Sequence, residues 1–149
     1  MPPASVAAKH TIAYIWWMTK SCLNSNSMYD VGEPTLSLDE VEFEIDFRDD
    51  LLSLSLPRVG DEAEPCALIA ARSILRHLDA LEREAVGFLR SLPSWPYGDD
   101  ARLWLVIVRA NDARFCFQQR AVNDEQVVGF VADDGGWQLM GLDPRWRQL

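Results

Sequence analysis

Glu40, Glu42, Glu44 and Asp46 alternate with Val41, Phe43, Ile45 and Phe47, so an acid and a large apolar side chain change places at every step. In a strand, successive side chains point to opposite faces, which sets these four carboxylates in one row at roughly 7 Å intervals. Such a row repels itself and has two physical uses. It can keep an outer sheet face solvated, where charge on an edge strand also blocks edge-to-edge pairing. It can also present a negative stripe to a basic partner, because complementary charge speeds association and suppresses wrong partners. The two uses are compatible, since an interaction surface must be soluble when free.

The other residue types that carry chemistry do not converge in the sequence. Metal ligation needs His, Cys or carboxylates at helical or hairpin spacing, and His10 and His77 stand apart with no second histidine nearby. His77 reads as a partly buried structural histidine at the edge of a helix stripe. Cys22, Cys66 and Cys116 are odd in number and form no CxxC pair, which argues against a disulfide framework and for a reducing cytoplasm. Cys66 falls at a helix start, where the dipole lowers a thiol pKa, but Glu62 and Glu64 oppose that shift. Cys66 and Cys116 therefore read as small buried hydrophobes. The pairs Asp49–Asp50, Asp99–Asp100 and Asp133–Asp134 sit in turns, and none fits a calcium loop of alternating oxygen donors. No nucleophile elbow, phosphate-cradling glycine loop or dinucleotide fingerprint occurs. These readings assign no catalytic residue, metal ligand or cofactor, and the expectation is a protein that is not an enzyme.

Six tryptophans are a high count for 149 residues. Trp104 and Trp137 lie inside strand patterns and are expected in the core. Trp95, between Pro93 and Pro96, and Trp146, in the tail 143–147, are less obviously buried. Tryptophan and arginine are enriched at interface hot spots, so Trp95 and Trp146 join Glu40, Glu42, Glu44 and Asp46 as candidate partner contacts. The simpler role for these two tryptophans is to fold back over the sheet edge.

The balance of 48% apolar and 25% charged residues is that of a globular chain, and 149 residues make a single domain of ordinary size. Fourteen basic against 23 acidic side chains leave a net charge of -9. That disfavours nucleic acid and anionic membrane as partners, because phosphate contacts need clustered Lys and Arg. Lysine occurs only as Lys9 and Lys20, the rest of the cations being arginine, a codon-level hint of a GC-rich bacterial genome. Residues 11–18 form an apolar run after Lys9 and His10, loosely like a short signal peptide, but the run contains Trp16 and Trp17 and lacks a small-residue cleavage site. It is too short to span a bilayer.

Periodicity then places these residues on elements. Residues 1–8 are expected to fray, 10–18 to form a strand with a short helix as the competitor, and 19–35 to form a long loop. Loops of that length are often functional or mobile. The acidic strand is followed by a tight link at Arg48–Asp49–Asp50 and a second alternating run at 51–56, which together predict an antiparallel hairpin. Pro65 suits a first helical position, with Asp61, Glu62 and Glu64 near the positive dipole end. From there to Leu92 the positions Leu68, Ala71, Leu75, Leu78, Leu81, Ala85, Phe88 and Leu92 recur at threes and fours, predicting one long helix that Gly87 loosens near its end. Runs at 103–109, 114–120, 126–132 and 137–142, separated by Asn111–Asp112, Asn123–Asp124 and Asp133–Gly136, predict a β-meander. The first of these runs is continuously apolar, as in a central strand covered on both faces. The expected architecture is a single α+β domain, an antiparallel sheet of hairpin plus meander with the helix on one face.

An acidic chain of this size without catalytic motifs is most naturally a protein-binding domain. Its general character is similar to the small immunity proteins that neutralise bacterial toxins, many of them basic nucleases. That likeness implies a basic protein partner and rests on size, charge and missing chemistry alone. The alternatives are an adaptor or assembly subunit, of the phage or secretion kind, that docks through exposed aromatics, and a small-ligand-binding protein or an enzyme of unrecognised type. Nothing in the sequence fixes the oligomeric state.

Overall fold

Where the side-chain period is two, the chain is extended, and where it is three to four, the chain coils. The computed structural model describes residues 22–23, 29–93, 101–119 and 124–143. In chain order the elements are β1 (Thr35–Leu36), β2 (Glu40–Phe47), β3 (Asp50–Val59), β4 (Glu62–Ala63), α1 (Pro65–Arg76), α2 (Leu78–Arg90), β5 (Ala101–Val108), β6 (Asp112–Gln119), β7 (Asp124–Asp133) and β8 (Gly136–Leu142). The strands build one sheet in the order β1-β2-β3-β5-β6-β7-β8, with β4 paired to β3 off that path. Among the described strands every pairing is antiparallel except β3 with β5, which is parallel through Ser53↔Leu105, Leu54↔Val106 and Ser55↔Ile107. The α+β class read from the sequence is therefore the observed one. The frayed start at 1–8, the strand at 10–18, most of the loop at 19–35, and both Trp95 and Trp146 lie outside the described residues.

Both helices cover the same side of the sheet, α1 over β3 and β5 and α2 over β8. Val41, Phe43, Ile45 and Phe47 of β2 meet Leu52, Leu54 and Leu56 of β3 beneath Ala67, Ala71, Ile74, Leu75, Leu78, Ala85 and Leu89 of the helices, all of them buried. Phe115, Phe117 and Phe130 fill the space under the meander, with Phe115 and Phe130 tilted at 4.9 Å between ring centroids. Trp137 is half-buried on this side, and its Nε1 donates to Ser73 Oγ at 3.1 Å, tying β8 to α1. Part of the presumed loop also serves the core: Leu23 and Val31 are buried, and Val31 bridges Ile45.

The helix departs from the expectation of one unbroken element over 65–92. It begins as the sequence suggests, with Pro65 in the first turn and the Glu64 carboxylate accepting from the backbone N–H of Cys66 at 3.0 Å and of Ala67 at 2.8 Å. It then stops at His77, whose φ of -116° and ψ of 15° are not helical, and restarts at Leu78. The break is at His77 and not at Gly87, which lies inside α2. A straight helix from Pro65 to Arg90 would run about 39 Å, longer than strands of eight to ten residues, which reach about 27–34 Å. Breaking at His77 lets one apolar stripe cover β3 and β5 and then turn back onto β8. It also leaves His77 exposed at the joint, not partly buried in the stripe.

Candidate interaction surface

The alternation in β2 divides its side chains as the sequence requires. Val41, Phe43, Ile45 and Phe47 are buried against the helices, while on the outer face Glu40 and Glu42 are half-buried and Glu44 and Asp46 exposed. Opposite them across β3 stand Pro57, Ser55, Ser53 and Leu51. These neighbours carry no cation, and among the described residues none of the four carboxylates forms an ion pair. Leu51, beside Asp46, is 55% exposed and gives the stripe an apolar end. Asp30, Glu33 and Asp39 are exposed on the flanking segment and add to the negative field.

The rim of β2 is not a bare edge. Val31 bridges Ile45, the Gly32 N–H donates to the Glu44 carbonyl at 2.8 Å, β1 pairs Thr35 with Glu42 and Leu36 with Val41, and the Ser37 N–H donates to the Glu40 carbonyl at 2.9 Å. The acidic strand thus lies one place inside the sheet border. Arg58 pins this border from the far side, with Nη1 donating to the Ser37 carbonyl at 2.7 Å and Nη2 to Asp61 Oδ1 at 3.0 Å.

The turn between β2 and β3 holds a cluster that sequence reasoning did not assemble. Arg48 and Asp49 have φ of 51° and 65°, the left-handed pair that a two-residue hairpin turn requires. That backbone aims Arg48 across the ring of Phe47, 5.2 Å from its centroid, onto α2. There it pairs with Asp79 and, at 3.0 Å, with Glu82, while Arg83 holds Asp79 at 3.2 Å. Burial pushes the Glu82 carboxyl above its ordinary value; Arg48 pulls it back and Asp79 pushes it further up. Tyr29 packs edge-on against Phe47 at 5.6 Å, its hydroxyl pKa raised by burial and by Asp79. The available signal was the spacing itself: two alternating runs joined by so short a link demand positive φ, and Arg48 is a poor residue to supply it.

Further in, the outer face turns apolar. A bulge at Trp104 shifts the β5 register between Leu103 and Leu105, so Leu103 and Val106 face the helices while Trp104, Leu105 and Ile107 join Cys116 and Val127 on the opposite side. The apolar run of β5 is covered on both faces, and Trp104 belongs to this second cluster, not to the core beneath the helices. Burial, reinforced by the Glu125 carboxylate, pushes the Cys116 thiol up to about 12. It stays protonated at neutral pH and cannot serve as a thiolate nucleophile. Cys66, expected to be buried, is instead exposed at the start of α1, because the first turn turns Ala67 and Ala70 inward.

Of the acidic pairs expected in turns, Asp49 lies in the β2–β3 turn and Asp50 begins β3. Asp133 ends β7 and Asp134 lies in the turn after it, with Asp133 Oδ1 accepting from the Gly135 N–H at 2.8 Å; Asp99–Asp100 lie outside the described residues. Among the described residues no three His, Cys, Asp or Glu side chains converge as metal ligands, and no helix is long and apolar enough to cross a membrane. No protein-family model matches the chain, and neither a curated protein nor a solved structure matches it.

Proposed function

We propose that this is a non-enzymatic protein-binding domain that docks a basic protein on the acidic face of β2, in the manner of a cytoplasmic bacterial immunity or inhibitor protein neutralising a toxin. The observation that supports this reading is the set of four carboxylates sharing one outer face with no cation to compensate them among the described residues. A partner's Lys and Arg would turn that mutual repulsion into attraction, and a net charge of -9 extends the attraction to encounter distances. Because the rim of β2 already has hydrogen-bond partners, docking is through side chains on the face and not by an added strand. Leu51 supplies an apolar contact at the end of the stripe.

The experiment is capture of the partner from the native host, followed by on-rates at two ionic strengths for wild type and Glu42→Lys/Glu44→Lys. The wild-type rate should fall as salt is raised, since screening acts within about 8–10 Å. The double variant should remain folded and associate at least about tenfold more slowly at low salt. Equal rates in all four conditions, or a captured partner with an acidic contact surface, would sink the proposal.

A further inference from the structure

The outer sheet face that begins at the acidic stripe ends, roughly 20 Å away across four strand spacings, in a depression of about 210 Å³ between β6, β7 and β8. Its floor exists because Gly129 lacks a side chain; a Cβ at its cross-strand partner Gly141 would instead face Phe88 of α2, at 3.7 Å on the helix side. Gly141, with φ of 113°, belongs to a bulge in β8 that inserts Met140 between the pairs Phe130↔Leu139 and Gly129↔Gly141. The bulge throws Met140 outward to 63% exposure, beside Val131 at 38% and Leu142 at 40%. Three large apolar side chains thus rim one depression.

Its polar side is made by Asp112, Arg114 and Asp143. Arg114 is committed to Asp143, with Nε 2.7 Å from Oδ2 and both side chains largely buried. Among the described residues Asp112 has no such partner: its Oδ1 is shut off from solvent and accepts no hydrogen bond. Arg109, in the preceding turn, is exposed and offers Asp112 only its backbone N–H, which donates to the Asp112 carbonyl at 2.8 Å. Arg114 is thus turned to Asp143 and not to Asp112, and a buried acceptor without a donor is costly.

The geometry points to this depression as a binding site for a cationic group on an aliphatic stem, an alkylguanidinium or alkylammonium. The stem lies over Gly129 against Val131, Met140 and Leu142, and the head group donates to the Asp112 carboxylate on the polar side of the depression. Such a group comes either from a free small amine or from an Arg or Lys side chain of a protein. The site does not depend on docking at the β2 stripe.

The test is an NMR titration of the full chain with n-butylguanidinium and n-butylammonium, against n-butanol and butyrate as neutral and anionic controls. The cations should shift the amides of Asp112, Gly129, Val131 and Met140 with a Kd of about 1–10 mM, as suits so few contacts. Asp112→Asn should weaken binding at least about tenfold. Gly129→Val should abolish it by filling the floor; a Cβ there meets nothing nearer than the Gly141 carbonyl at 3.8 Å, so the backbone need not move. Gly129→Ala, the smaller insertion, gives a graded loss should the valine variant not fold. A blocked Ala-Arg-Ala tripeptide separates the sources: binding as tight as n-butylguanidinium assigns the site to a protein side chain, and exclusion of the tripeptide assigns it to a free amine. No shifts up to about 50 mM cation, or shifts from n-butanol equal to those from the cations, overturn the site.

Discussion

Replacing Arg48 by glycine sets two opposed effects against each other. Glycine relieves the left-handed backbone at φ 51°, a gain of about 1 kcal/mol. The substitution also removes the cation over Phe47, worth about 0.5–1 kcal/mol at an exposed site, and strands Glu82, whose side chain is only 9% exposed. Losing one partner of a buried pair costs about 3–5 kcal/mol, but Arg48 is 46% exposed, and Glu82 escapes part of the cost by taking up a proton. A net loss of about 2 kcal/mol at pH 7.5 follows, read as a fall of about 1 M in the urea midpoint for an m-value near 2 kcal/mol/M. The pH dependence identifies the cause. The Glu82 pKa is raised in the folded state above its ordinary 4.5, so its contribution is fully present below that value and is lost as pH rises through the folded pKa. Without Arg48 the folded pKa rises further and the loss extends to higher pH. The gap between wild type and Arg48→Gly should therefore be small near pH 4.5 and widen towards pH 7.5. A gap below about 0.5 kcal/mol at pH 7.5, or one that does not change with pH, would refute the reasoning.

Two further substitutions probe the helices. Leu78→Ala should cost about 2–5 kcal/mol in denaturant unfolding, because Leu78 is buried just after the break at His77; a negligible change would mean that α2 turns a different face to the sheet. Glu64→Ala removes the carboxylate that accepts from Cys66 and Ala67, bonds that hold the Glu64 pKa below its ordinary 4.5. Its stabilisation is present above 4.5 and lost as pH falls through the folded pKa, so the variant should melt below wild type at pH 7 and together with it in strong acid.

Elements were legible wherever one physical signal dominated. The strict alternation of residues 40–47 yields β2 within its observed bounds, and the meander turns at Asn111 and at Asp133–Gly136 lie where glycine and Asx chemistry put them. The break at His77 was not legible, because no Pro or Gly marks it; it answers the span of the sheet, which no local window contains. The short β1 and the bridge at Val31 were hidden for a similar reason: covering β2 is a tertiary event imposed on a polar segment. Of the candidate site, the four carboxylates share a face because period two guarantees it. The Arg48–Asp79–Glu82 cluster needed the hairpin turn and the α2 docking angle together. The depression over Gly129 needed a β8 bulge that the sequence pattern does not encode, since Met140 reads there as an ordinary strand residue.

The parallel pairing of β3 with β5 concentrates the topological difficulty of this chain in one place. Phe47 finds Asp50 across a two-residue turn, whereas Ser53 must find Leu105 from a far greater distance along the chain. Closing that longer loop costs about 2.5 kcal/mol more by the logarithmic dependence on length, and only three register pairs meet there. Each half of the sheet can form from near neighbours, so the seam between them is the natural last step of assembly. The helices ease it by replacing much of the intervening flexible chain with two rigid rods. They also span the seam, α1 lying over both β3 and β5, so what fastens the two halves is less the backbone ladder than the apolar stripe laid across it.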